Sequence, residues 1–204
     1  PAHNNLANCY NQLGRVRDAI PHYREVARLA PTNALAGSSV IACLNYDETL
    51  MPQALFDEHW AWATRFAPVP IAPSIRPRHH TRQRLRIAYV SPDLRRHPVA
   101  TLFTPIIERH DRNRFELYCY YNYPSEDVVS HRIRAACDRW HDIHTISDAQ
   151  FASQLASDEP DILVDLSGHT SYGRLPAYAA KPAPVQVSWL GYFNSTGMPQ
   201  IDAF

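Results

Sequence analysis

At 204 residues the chain is long enough to bury a core and to hold one or two domains. Hydrophobic residues make up 45% and charged residues 20%, and the 20 basic side chains cancel the 20 acidic ones. That balance fits a globular protein and gives no electrostatic pull toward nucleic acid or an anionic membrane. No apolar run reaches membrane length and no charged-then-apolar leader opens the sequence, so the expected setting is cytoplasmic. Pro1 rather than Met stands first, which suggests that the chain begins within a longer protein.

Residues 1–33 read as a helical hairpin. Leu6, Ala7 and Tyr10 recur at helical spacing, Gly14 supplies a turn, and Ala19, Tyr23, Val26 and Ala27 resume the pattern until Pro31. Small Ala7 and Ala19 let two helices approach closely. This is the pattern of one tetratricopeptide repeat, which buries its faces only against further repeats. Pro21 is expected in the first turn of the second helix, or to kink it. Residues 34–66 continue helical, with Phe56, Trp60 and Phe66 read as core. The four cysteines, Cys9, Cys43, Cys119 and Cys137, lack metal-ligand spacing. Cys9, Cys43 and Cys119 read as reduced, half-buried thiols.

Pro68, Pro70, Pro73 and Pro77 then forbid helix and predict an extended linker over 67–84. The basic run from Arg76 to Arg86, with His79 and His80, reads as a solvated connector.

From Leu85 the period changes. Apolar, β-branched runs predict strands at 85–90, 115–121, 140–143, 162–166 and 185–190. Helices are predicted from Pro98, over 127–137 and 148–156, with a helical turn near 175–180. Regular alternation predicts a mainly parallel sheet with right-handed crossovers, a Rossmann-like lobe. The fold class is therefore α/β: a tetratricopeptide-like helical region (1–66), the linker (67–84) and the lobe (85–204).

In such sheets ligands bind beyond the carboxyl ends of the strands. Three loops leave that edge. In Ser91–Pro98, Pro98 suits a first helical position and puts His97 at the helix N-terminus. There, with Arg95 and Arg96 nearby, imidazolium is disfavoured, and a neutral ring can accept a proton. The bland alternative is that His97 and Asp93 only cap the helix and the loop. In Asp165–Thr170, Gly168 allows close backbone approach, and His169 and Thr170 offer donors at a following helix start; a satisfied loop histidine is the competing reading. In Trp189–Gly197, bare backbone at Gly191 could line a sugar pocket. The dinucleotide and P-loop glycine patterns are absent, as is a metal-ligand cluster.

The strings Leu85–Pro98 (LRIAYVSPDLRRHP), Asp161–Thr170 (DILVDLSGHT) and Lys181–Gly197 (KPAPVQVSWLGYFNSTG) together resemble the bacterial SPINDLY-type O-linked N-acetylglucosamine transferases. Asn45-Tyr46-Asp47 matches that family's transition region, so the resemblance runs over essentially the whole chain. It implies a two-lobed GT-B enzyme that moves N-acetylglucosamine from UDP-N-acetylglucosamine to Ser or Thr of a protein with inversion, needing no cofactor or metal. On that resemblance His97 and Asp93 are the active-site pair, either of which is proposed as base. Leu190 and Gly191 line the sugar pocket, and His169 and Thr170 face the same cleft.

The resemblance also implies that the diphosphate is held by a second lobe beyond Phe204, so this stretch alone is expected to show no turnover. The repeats are expected to meet protein acceptors or a second copy. Val99 and Phe193 depart from threonine and proline in other members and leave the donor open. Related alternatives are O-fucosyl or N-glucosyl transfer, or a non-enzymatic peptide-binding scaffold.

Overall fold

The computed structural model describes residues 1–68 and 82–204. Most of the expected linker, with His79 and His80, lies outside the described residues.

Four helices come first: α1 (Ala2–Gln12), α2 (Val16–Leu29), α3 (Ala34–Leu44) and α4 (Pro52–Phe66). Ala7 and Ala19 are fully buried where α1 crosses α2, and Tyr23 fills the space beside them, its hydroxyl donating to Asn8. Gly14 turns the chain at φ +71°, in the left-handed region glycine occupies freely. Pro21 sits inside α2, past its first turn, so the first of its two expected placements is not the one adopted. The side chain of Asn33 caps α3 by accepting from Leu35 and Ala36 N–H.

The face of α4 that turns inward carries His59, Trp62 and Ala63, all buried. Phe56 and Trp60, expected in the core, are about half exposed and stack on each other. They lie on the flank of the stripe formed by His59, Trp62, Ala63 and Phe66, whose i, i+3, i+4, i+7 spacing faces the lobe. Cys43 and Cys119 are buried, whereas Cys9 is exposed.

The lobe follows as β1 (Leu85–Ser91), α5 (Pro98–Ile107), β2 (Phe115–Tyr121), α6 (Val128–Ala136), β3 (Arg139–Asp142), α7 (Asp148–Asp158), β4 (Ile162–Asp165), a 3₁₀ turn (Leu175–Tyr178) and β5 (Val185–Ser188). Capping boxes start α6 (Asp127 with Ser130) and α7 (Ser147 with Gln150). All strand pairs are parallel, in the order β3-β2-β1-β4-β5. Alternate residues feed two cores. Ile87, Tyr89, Leu117 and Cys119 pack on α5 and α6. Ala88, Val90, Tyr118, Tyr120 and Leu163 pack on α7, the 3₁₀ turn, and Ile41, Trp62 and Ala63 of the helical segment. The helical segment thus shares a core with one face of the sheet. Among the described residues no helix is long and apolar enough to cross a membrane.

Candidate active site

The strand order reverses direction between β1 and β4, and the crevice at such a switch point is where open parallel sheets bind ligands. The loops leaving β1 and β4 flank it.

In the first loop Ser91 Oγ accepts from Asp93 N–H at 2.9 Å, and fully buried Leu94 anchors the turn. Arg96 N–H donates to Asp127 at the start of α6. These contacts aim Asp93, Arg95 and His97 at one point. Asp93 Oδ1 lies 3.6 Å from Arg95 Nη2 and 3.7 Å from His97 Nε2. Burial pushes the Asp93 carboxyl above its ordinary value, while His97 and Arg95 pull it back. The Arg95 guanidinium stacks 4.1 Å above the Tyr123 ring.

His97 is the N-cap of α5, with about a third of its side chain exposed. Its Nδ1 accepts from Val99 N–H at 3.3 Å. An imidazole that accepts at Nδ1 carries its proton on Nε2, the nitrogen facing Asp93. In this arrangement His97 offers a donor and Asp93 an acceptor to whatever enters between them.

The second loop is built differently from its expectation. No helix begins at His169; the chain passes through turns to the 3₁₀ segment at Leu175. Thr170 Oγ1 donates to Ser167 O at 2.8 Å and closes its own turn. The His169 ring, only 1% exposed, is turned into the protein rather than toward a cleft. Its Nε2 donates to Thr196 O at 2.9 Å and its Nδ1 accepts from Ser38 Oγ of α3 at 3.1 Å, with Trp62 edge-on at 4.6 Å. Burial drives its pKa down to about 3. The competing reading, a satisfied structural histidine, describes this ring.

The third loop crosses the mouth of the second. Leu190 packs against the core cluster that includes Leu94, Val99 and Leu166. Gly191 passes so close to Leu166 O that an added Cβ would lie 1.7 Å from it, so only glycine fits. Tyr192, which the sequence reading did not single out, lies beside Gly168 and buries its hydroxyl between His59 and Asn45. Nor did that reading find Arg174. Its guanidinium is committed to Asp148, Asn122 and the carbonyls of Ile143 and Ile146. A cleft of about 260 Å³ opens beside it, between the start of α3 and the loops after β2, β3 and β4. Among the described residues no group of three metal-ligating side chains occurs.

Fold and edge define a Rossmann-like ligand-binding lobe that carries a helical segment. The chain belongs to glycosyl transferase family 41, whose profile matches residues 72–204. A tetratricopeptide repeat profile matches residues 1–33.

A relative from Arabidopsis thaliana named probable UDP-N-acetylglucosamine–peptide N-acetylglucosaminyltransferase SPINDLY is 32% identical over 186 residues, covering 86% of this chain and 20% of that protein. A Caenorhabditis elegans UDP-N-acetylglucosamine–peptide N-acetylglucosaminyltransferase is 37% identical over 123 residues, 59% of this chain and 11% of that protein. Among solved structures, a mutant O-GlcNAc transferase of Thermobaculum terrenum superposes with a TM-score of 0.89 at 41% identity, over 98% of this chain and 39% of that one. The chain thus spans about a fifth of the length of the plant relatives it matches.

Proposed function

We propose that this chain supplies the repeat end and first lobe of an inverting protein O-glycosyltransferase. The enzyme moves N-acetylglucosamine from UDP-N-acetylglucosamine to a Ser or Thr hydroxyl of a protein. Family membership and the names of the relatives support the donor and acceptor classes. The observation that carries the reading is the Asp93–His97 pair, 3.7 Å apart at the switch point of the sheet.

A serine or threonine hydroxyl is a weak nucleophile at neutral pH, and a positioned base is worth about 10²–10⁴-fold. Asp93 fits that role: its raised pKa makes it a better proton acceptor than an ordinary carboxylate, and among the described residues no short hydrogen bond consumes its oxygens. His97 Nε2–H then donates to the acceptor oxygen or the sugar, orienting attack on the anomeric carbon. As the C–O bond to that carbon forms on one face, the bond to the diphosphate breaks on the other, and the hydroxyl proton passes to Asp93. Leu190 and Gly191 bring bare backbone to the sugar, and Thr170 belongs to the rim of the same crevice. His169 serves by holding the loops rather than by touching substrate. Arg174 is held by internal hydrogen bonds, so the charge of the departing diphosphate is assigned to other groups. The helical segment is the surface for protein acceptors, and four free cysteines favour a reducing, cytoplasmic setting.

The test is transfer by the full-length protein, with a Ser/Thr peptide offered UDP-N-acetylglucosamine and GDP-fucose in competition. Modified peptide of N-acetylhexosamine mass is expected. Fucosylated peptide would move the protein to another donor, and no transfer from either would refute the enzyme.

A further inference from the structure

We propose that Tyr192 is a positioning residue through which the helical segment shapes the donor-sugar loop. The inference rests on the reading that Leu190 and Gly191 face the sugar, and it adds what holds them there.

The turn is strained. Leu190 sits at φ +69°, and Gly191 N–H donates back to Trp189 O at 2.8 Å, closing a three-residue turn with a left-handed centre. Leucine takes that backbone only where its surroundings over-determine it. On the strand side the constraint comes from Trp189 N–H, which donates to Asp165 O at 2.8 Å. On the other side it comes from the helices. The Tyr192 hydroxyl donates to His59 Nε2 of α4 at 2.7 Å and accepts from Asn45 Nδ2, at the end of α3, at 2.7 Å. His59 Nδ1–H donates to Leu55 O at 2.7 Å, which fixes the tautomer and leaves Nε2 as an acceptor.

The grip extends along the loop. Asn194 Nδ2 donates to Asn45 Oδ1 at 2.7 Å. Thr196 O is held by His169, itself bonded to Ser38. Gly197, at φ +74°, lies so close to the His59 backbone that a Cβ would stand 2.4 Å from it. From Tyr192 to Gly197 the loop is therefore registered on α3 and α4. Both hydrogen-bonding roles of the Tyr192 hydroxyl are used at this junction, and the residue is buried. None is left for substrate, so it acts on the sugar only through the turn two residues before it.

The experiment compares Tyr192→Phe, His59→Leu and His59→Gln in the full-length protein. Donor and acceptor kinetics are read alongside amide exchange over 189–197 and melting temperature. Tyr192→Phe and His59→Leu should raise donor KM about tenfold with kcat and acceptor KM within about threefold, the signature of lost donor placement. They should also speed exchange at Gly191 and Tyr192. His59→Gln keeps an oxygen that can accept from the Tyr192 hydroxyl, and should restore donor KM to within about twofold of the starting protein.

A lower melting temperature with unchanged donor KM would overturn the proposal, as would His59→Gln behaving like His59→Leu. Faster exchange with unaltered donor KM would also overturn it, by showing that the turn does not shape the sugar site. If the unsubstituted protein uses no nucleotide sugar while exchange still responds, the functional reading has failed and the donor role of Tyr192 falls with it. If the protein turns over normally and exchange does not respond, the positioning claim alone has failed.

Discussion

Ser38 and His169 stand 131 positions apart in sequence, yet the Ser38 hydroxyl meets the imidazole Nδ1 at 3.1 Å in the core between helices and sheet. The ring is neutral there because burial holds its pKa at about 3, against 6.5 when free. The unfolded chain therefore binds a proton that the folded chain refuses. The stability this gives is fully present above pH 6.5 and is lost as pH falls toward 3. His59, 5.3 Å away and also pushed down by burial, acts in the same direction.

Urea unfolding followed from about pH 7 to about pH 4 should show a loss approaching about 1.4 kcal/mol per pH unit from His169, with His59 adding in the same direction. His169→Phe, although less stable at pH 7, should show a shallower slope. A slope equal to that of the unsubstituted protein would remove the ring from the acid response.

Four residues earlier, Asp165 has the opposite sign. Its buried carboxylate accepts from Gly168 N–H at 2.6 Å and from the Tyr178 hydroxyl at 3.2 Å, yet desolvation raises its pKa from 3.8 to about 6. Here the folded chain binds the proton more tightly. That contribution is complete below pH 3.8 and is lost as pH rises through about 6, a swing of about 3 kcal/mol. Asp165→Asn keeps an oxygen for Gly168 and cannot ionise. It should steepen the overall acid loss between pH 4 and 6 and match or exceed the parent stability at pH 7. A variant markedly less stable at pH 7 would mean that the ionised hydrogen bonds outweigh desolvation.

Two glycines separate backbone strain from crowding. Gly14 has φ +71° and open space around its would-be Cβ, so Gly14→Ala should cost only the left-handed penalty, about 1–2 kcal/mol. Gly191 is hemmed in by Leu166 O and the Ser167 backbone, which no side-chain rotation can clear. Gly191→Ala should cost more than about 3 kcal/mol, or displace the loop. Denaturation midpoints of the two variants, measured side by side, test the ranking.

How far the sequence could be read follows from which interactions are local. Strand periodicity placed β1 and β2 to within a residue, because their apolar runs are long and flanked by polar turns. Pro98 located the start of α5, and with it His97 as N-cap, since proline at a first helical position is a local rule. The loop after β4 was misjudged because glycine, histidine and threonine serve a helix start and a tight turn equally well. What settles His169 is Ser38, Trp62 and Thr196, none adjacent in sequence.

Phe56 and Trp60 were misassigned for a related reason. An aromatic-rich helix has two plausible faces, and the partner that chooses between them is the lobe. Tyr192 passed as one aromatic among several; a buried hydroxyl's partners belong to the tertiary fold. The one local hint was polar Asn45 and His59 on otherwise apolar helical faces.

The chemistry itself can be divided between Asp93 and His97. If Asp93 takes the acceptor proton, kcat/KM of the full-length protein should rise with pH through an apparent pKa above the ordinary carboxylate value, because burial raises this carboxyl. Asp93→Asn should remove that limb and lower kcat by about 10²–10⁴-fold, leaving donor binding within a few fold. His97→Ala should lower kcat while the acid limb stays, since its part is to donate from Nε2 and to cap α5 through Nδ1.

The cap adds a second consequence. His97→Ala forfeits about 0.5–2 kcal/mol of stability, whereas His97→Asn, which can accept from Val99 N–H, should recover most of that stability without recovering the rate. If His97→Ala instead abolished the pH limb and Asp93→Asn left it intact, the proton would have to travel through the imidazole. The tautomer set by the Val99 contact would then have to reverse during the reaction.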